Sequence, residues 1–436
     1  MSRETLEPAD PPSEEVAALG AGPVPGAAGS LIRLGAIVVA VAVVATLAGV
    51  GKTVAVVAAI IAMIMLHELG HFATAKWADM KVTEYFLGFG PKLWSIRKGE
   101  TEYGVKALPL GGYVKIVGMN NLEEVDPGDE VRAYRQKPFL RRLSVAVAGS
   151  TMHFLLALVL LFVFFFVTGE LGDPTMTVGA VASFGATASP AQQAGLRAGD
   201  TIVSIDGQHF ASTTEASAYI RNHPGQRLDL VVERAGGDVH LYPTPVEGSK
   251  LQLKGYAPPP ANGPDGIIGV SFKDATIHYG FLASISESGG RFVDISARTF
   301  DALGSLVSAH GISSYSHMLV NQRAADAPTA NRFVSPVGIV RVANTAAGNG
   351  LRDVLGLLIL INIFVGIFNL LPLLPLDGGH VAIAVYEAVR SRRGRAYHAD
   401  ITKLLPLTYA VFVVLVFIGV SALFLDVRDL LAVVRF

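Results

Sequence analysis

The stretch Ile60–His71, IIAMIMLHELGH, closes an apolar run with the pattern H-E-x-x-H. On a helix, residues four apart share a face, so His67 and His71 project together about one turn apart. Imidazoles so placed suit two corners of a zinc tetrahedron. Glu68 stands beside the first of them, close enough to take a proton from an attacking water rather than bind the metal. The plainer alternative is two polar breaks in a membrane helix. Ionisable groups inside apolar spans are costly and rarely idle, which favours the metal.

A second stretch, Asn369–His380, reads NLLPLLPLDGGH. Its two prolines and two glycines interrupt the apolar run Leu351–Leu371. Non-helical backbone at membrane depth persists only where it is buried in protein or lines a wet cavity. A carboxylate delivered there, Asp377, needs a cationic partner, and a metal at His67 and His71 is the evident one. His380 follows the same break and is a competing donor. The chain has no Cys, so disulfides and thiolate ligands are excluded. His153 stands alone in another apolar span and reads as a packed, hydrogen-bonded residue.

The elements that must position these groups are membrane helices. Hydrophobic residues make up 51% of the 436 and charged residues 16%, with a mean hydropathy of +0.46. That balance belongs to a membrane protein, and a formal net charge of -1 gives no sign of nucleic-acid binding. Residues 1–30 read as a disordered acidic tail and 31–50 as an extra transmembrane helix, with a turn at Gly49–Lys52. Residues 51–168 hold the H-E-x-x-H helix, a basic loop and a further span at Leu143–Val167. In the loop, Gly88–Pro91 is a turn signal, and Tyr103–Ile116 reads as two short strands around a bend at Gly111–Gly112.

Residues 175–248 are soluble in character. Residues 249–350 form a linker, Pro- and Gly-rich over Tyr256–Gly266, with an amphipathic membrane-surface helix expected within 280–320. Residues 351–436 supply the broken span and a last span at Leu404–Leu425. Basic clusters at Arg132–Arg142 and Arg390–Arg395 favour the cytoplasm for the segments that carry them. The helices ending in the two motifs then run in the same direction and reach the same side of the bilayer.

H-E-L-G-H on one membrane helix and N-L-L-P-L-L-P-L-D-G-G-H on a later one resemble the site-2 protease family of intramembrane zinc metalloproteases. G-F-G-P, P-L-G-G-Y-V-K and S-P-V-G-I-V (Ser335–Val340) are similar to stretches of its bacterial members. A-G-L-R-A-G-D-T-I-V-S-I-D-G, from Ala194, resembles their PDZ domain, here single as in the actinobacterial type.

The resemblance implies a polytopic α-helical membrane protein. It would have four core transmembrane helices, with a fifth at the N-terminus extra to that core, and an inserted extracytoplasmic PDZ domain of α+β class. It implies one Zn2+ per chain held by His67, His71 and Asp377, Glu68 as catalytic base, and Asn369 as a substrate-holding residue. Gly111 and Gly112 are expected to pair with unwound substrate, and Ala194, Gly195 and Leu196 to border a PDZ peptide groove.

The implied activity is cleavage of single-span membrane proteins within the membrane, as in regulated intramembrane proteolysis of anti-sigma factors or remnant signal peptides. The implied place is the bacterial cell membrane, with the active site towards the cytoplasm and lipid and a PDZ ligand peptide as further partners. The rivals are a catalytically inactive membrane PDZ adaptor, in which Glu68 is dispensable, and a zinc transporter. The latter would need ionisable residues along several spans, and those at 143–167 and 404–425 are almost bare of them.

Overall fold

The computed structural model describes residues 27–119, 124–184, 187–250, 265–321, 333–391, 397 and 399–434. Most of the acidic tail, most of the Pro- and Gly-rich stretch, and Arg392, Arg393 and Arg395 lie outside the described residues. The chain divides into two units, one running to Val163 and resuming at Ile285, the other spanning Phe164–Ser284. Among the described residues, four helices are long and apolar enough to cross a membrane: Gly51–Trp77, Phe139–Thr168, Leu351–Asn369 and Thr402–Arg428. The chain is a polytopic membrane protein with a β-rich unit.

In the first unit, α1 (Ala27–Leu47) precedes α2 (Gly51–Trp77), and Gly49 at φ +72° supports the turn between them. The apolar part of α1, Gly35–Leu47, is shorter than the four spans. After α2 come β1 (Val82–Lys98) and β2 (Thr101–Ile116), which form one sheet. The register bears out two sequence expectations here. Residues 84–87 pair with 102–105 in the same direction and with 112–115 in the opposite direction, whereas 92–98 pair with 101–106 in the opposite direction. The chain therefore reverses at Gly88–Pro91, between Lys98 and Thr101, and again ahead of Gly112. Gly88 (φ +85°) and Gly90 (φ +83°) adopt the left-handed backbone that the first reversal needs. Tyr85 pairs with Val114 on one side and Tyr103 on the other, so Gly112–Ile116 forms an outer edge of the sheet.

Helix α3 (Phe139–Val163) starts after Pro138, whose carbonyl accepts from the N–H of Arg142 at 3.1 Å. It continues into a π-helical turn at Phe164–Thr168. Two helices, α5 (Phe281–Val307) and α6 (Ala309–Val320), occupy the stretch expected to be amphipathic. Next, α7 (Pro336–Asn349) is capped by Ser335 Oγ, which accepts from Gly338 N at 3.2 Å. Helix α8 (Leu351–Asn369) ends before Pro372, and α9 (Asp377–Arg390) begins after Pro375. The chain between them folds back onto the first turn of α9. A Cβ at Gly379 would lie 2.7 Å from Leu374 N, and one at Gly378 would collide with the Leu370 and Leu371 carbonyls. The glycines after Asp377 make that fold-back sterically possible. The last helix is α10 (Leu405–Val434). Val56 and Met63 of α2, Ala343 and Ala347 of α7, and Leu358 of α8 share one core.

In the second unit, strands β3 (Glu170–Val181), β4 (Thr201–Ile205), β5 (Leu230–Arg234), β6 (Gly237–Leu241) and β7 (Val270–Ile277) form a sheet in the order β7-β3-β4-β5-β6. With α4 (Thr213–Arg221) they bury a core that includes Val178, Ile205, Ala216, Leu230 and Val232. Asp200 locks one corner. Its carboxylate accepts from Arg234 Nε and Nη2, both at 2.7 Å, and from Arg197 N at 2.7 Å.

Candidate metal centre

The apolar run of α2 carries His67 and His71 into its second half, where both are buried at 8% and 6% exposure. The broken segment between α8 and α9 delivers Asp377 to the same point. His67 Nε2 and His71 Nε2 lie 3.2 Å apart, and Asp377 Oδ2 lies 3.3 Å from each. A tetrahedron with edges of that length has its centre about 2.0 Å from every corner, which is a zinc–nitrogen bond length. These three residues form a group able to hold a metal ion, and among the described residues His380 does not join it.

Donor chemistry points the same way. His71 Nδ1 donates to the Val145 carbonyl at 2.8 Å, so its Nε2 carries a lone pair in the neutral ring. Asp377 Oδ2 is buried and has no hydrogen-bond donor. Protonated imidazoles would satisfy the carboxylate as ion pairs, but two charged rings with nitrogens 3.2 Å apart repel. One divalent ion satisfies all three atoms at once, so the residues fit zinc.

The α3 backbone comes unusually close. A Cβ at Gly149 would lie 2.5 Å from Nε2 of both histidines, and one at Gly70 would lie 2.7 Å from the Ala148 carbonyl. Glycine at both positions lets the helices meet with the histidines between them. Sequence reading did not single out either residue, although glycine inside a helix is a mark of close packing.

Glu68 lies against β2. The Val114 backbone amide lies beside its carboxyl. A Cβ at Gly112 would fall 2.9 Å from Glu68 Cγ and 3.0 Å from Met65 Sδ. Tyr85 Oη donates to the Met65 carbonyl at 2.9 Å, fastening the sheet to the same turn of α2. Burial pushes the Tyr85 phenol up to about 12, so it stays a donor at neutral pH. At Gly111 a Cβ would face Phe89 instead, at 3.2 Å. Asn369 is the half-buried last residue of α8. His153 is buried, and its Nδ1 lies 2.8 Å from Asn362 Oδ1.

In the β-rich unit, Leu196 belongs to the core and Ala194 packs against it. The Gly195 carbonyl accepts from Arg234 at 2.8 Å. This unit also has a cavity of about 310 Å³ between α4 (Thr213, Thr214, Ser217, Arg221) and Pro174 and Phe272.

The sequence profile of peptidase family M50 matches residues 55–416. The chain is similar to the zinc metalloprotease Rip1 of Mycobacterium tuberculosis, at 34% identity over 385 residues, covering 82% of this chain and 92% of the relative. It is similar to Rip1 of Mycolicibacterium smegmatis at 30% over 393 residues, covering 82% and 92%. A putative zinc metalloprotease of Clostridium acetobutylicum is 31% identical over 333 residues, covering 76% and 85%. With a profile matched over most of its length and relatives this similar across most of theirs, the chain belongs to peptidase family M50, the site-2 proteases, and is a zinc metalloprotease.

Proposed function

We infer that the protein cleaves single-span membrane proteins within the membrane, at a zinc held by His67, His71 and Asp377. The observation that carries this reading is the triangle of two imidazole nitrogens and one carboxylate oxygen with edges of 3.2–3.3 Å, at the end of a membrane-length helix. When bound, zinc supplies Lewis-acid activation of water and of the scissile carbonyl. Glu68 accepts the proton of the attacking water and returns it to the leaving amine. The Val114 N–H holds the Glu68 carboxyl in place for both transfers. Asn369, at the end of α8, is assigned to substrate holding.

A substrate helix hides its carbonyls in hydrogen bonds and must unwind before attack. The strand at Gly112–Val114 pairs with Tyr85–Leu87 on one side, and its other edge suits pairing with an unwound segment. Gly112 belongs to that edge and Gly111 directly precedes it.

The β-rich unit is a PDZ domain in this reading. Its peptide site is the groove between α4 and β7, because β7 is an edge strand able to accept another. Ala194–Leu196 are not among the residues that line that cavity. The basic loop and the Arg390 region are cytoplasmic, the PDZ domain is extracytoplasmic, and the site opens towards the cytoplasm of a bacterial cell. Trimmed anti-sigma factors and remnant signal peptides are the substrate classes that fit. The test is Glu68→Gln protein with its zinc retained. It should lose cleavage of a transmembrane substrate, and undiminished cleavage would refute the role of Glu68.

A further inference from the structure

Helix α3 contributes no metal-binding side chain, yet one stripe of it touches every arm that does. Arg142, Val145, Gly149 and His153 follow one another at spacings of three or four residues, which places them on one helix face. The Val145 carbonyl orients His71 through Nδ1 at 2.8 Å. Gly149 leaves the space into which both histidines close. His153 holds Asn362 of α8 at 2.8 Å. Arg142 forms an ion pair with Glu387 of α9, ten residues beyond Asp377. Arg142 is 9% exposed and Glu387 1%. The second oxygen of Glu387 accepts from Ala399 N at 2.6 Å.

We propose that Arg142 and Glu387 are positioning residues of the metal centre, and that this stripe of α3 is the template that brings Asp377 to the histidine pair. The proposal rests on the three-ligand reading above. Asp377 follows a stretch that is not helical and cannot by itself fix the carboxylate to within a few tenths of an ångström. A helix is stiff, however. Pinning α9 at Glu387, about 15 Å along its axis, sets the place of its first turn. Val145 lies one turn from Arg142, so His71 and the Asp377 helix are held from adjacent turns of one element. A buried ion pair is a poor source of stability, because desolvation offsets the attraction. Its use here is geometric.

The test measures zinc affinity of the purified full-length protein in detergent by chelator competition, together with the absorption of the cobalt-substituted form. Arg142→Gln and Glu387→Gln should weaken zinc binding about 10–100-fold and shift the cobalt bands. Arg142→Lys keeps the charge but loses the rigid guanidinium fork, and should fall between these variants and wild type. Arg234→Gln, which breaks the ion pair with Asp200 in the other unit, should lower the thermal midpoint and leave zinc affinity unchanged. A purely structural role for Arg142 predicts the same pattern in the clamp variants, and that result overturns the proposal. If the neutral variants fail to fold, wild-type zinc affinity in Arg142→Lys overturns it alone. Wild-type protein without zinc, or Asp377→Ala with undiminished affinity, would instead refute the ligand assignment on which the template depends.

Discussion

Gly149 on α3 approaches His67 so closely that a Cβ there would lie 2.5 Å from the imidazole Nε2. This makes Gly149→Ala an unusually clean steric test. Alanine is favoured over glycine in a helix interior by about 1 kcal/mol, so propensity alone would stabilise the variant. The crowding of His67 and His71 should dominate instead. Zinc content measured on the purified variant should fall well below wild type, while helicity by circular dichroism is retained. A fully loaded variant would mean that the histidines are not held against α3.

Gly112 separates catalysis from metal binding. A methyl group there meets Glu68 Cγ at 2.9 Å and leaves the three ligand atoms untouched. Gly112→Ala should lower cleavage by about 10–100-fold, the usual cost of displacing a reacting group by up to an ångström. Its zinc content should match wild type. Loss of both together would place Gly112 in the metal site rather than beside the base.

These two glycines also mark what the sequence could and could not reveal. The grouping of His67, His71 and Asp377 was legible because metal ligation restricts residue type and spacing. The apolar runs made the four spans legible for the same kind of reason, since a bilayer demands length and composition. Gly149, Gly70, the Val145 carbonyl and the Arg142–Glu387 pair were not legible. Their roles depend on which face of α3 meets α2 and α9, and no local pattern encodes that. The reversals at Gly88–Pro91 and ahead of Gly112 were legible as turn chemistry, but the order in which they set the strands side by side was not, because that depends on pairing between distant residues.

Stability at low pH should depend on Glu100. Its carboxylate accepts from Arg132 at 2.6 and 3.0 Å and pairs with Lys76 at the end of α2. The hydrogen bonds from Arg132, ahead of the contribution of Lys76, lower its pKa to about 2. A carboxyl depressed on folding stabilises above its unfolded value, about 4.3, and that stability is lost as pH falls towards 2. The thermal midpoint of wild type should therefore exceed that of Glu100→Gln at pH 7 and converge with it between about pH 4.5 and 2. A gap that is constant with pH would contradict the assignment.

In the β-rich unit, the carboxylate of Asp200 is almost wholly buried and takes three hydrogen bonds from Arg234 and Arg197. Asp200→Asn should destabilise this unit by about 2 kcal/mol, as read by denaturant unfolding. Zinc content should not change. An unchanged unfolding midpoint would show that the corner holds without the ion pair.

The central claim is that His67, His71 and Asp377 share one zinc ion, and metal analysis of purified wild-type and Asp377→Ala protein tests it most directly. One zinc per chain in wild type and a substoichiometric amount in Asp377→Ala is the result expected. Equal, full occupancy in both proteins would contradict it.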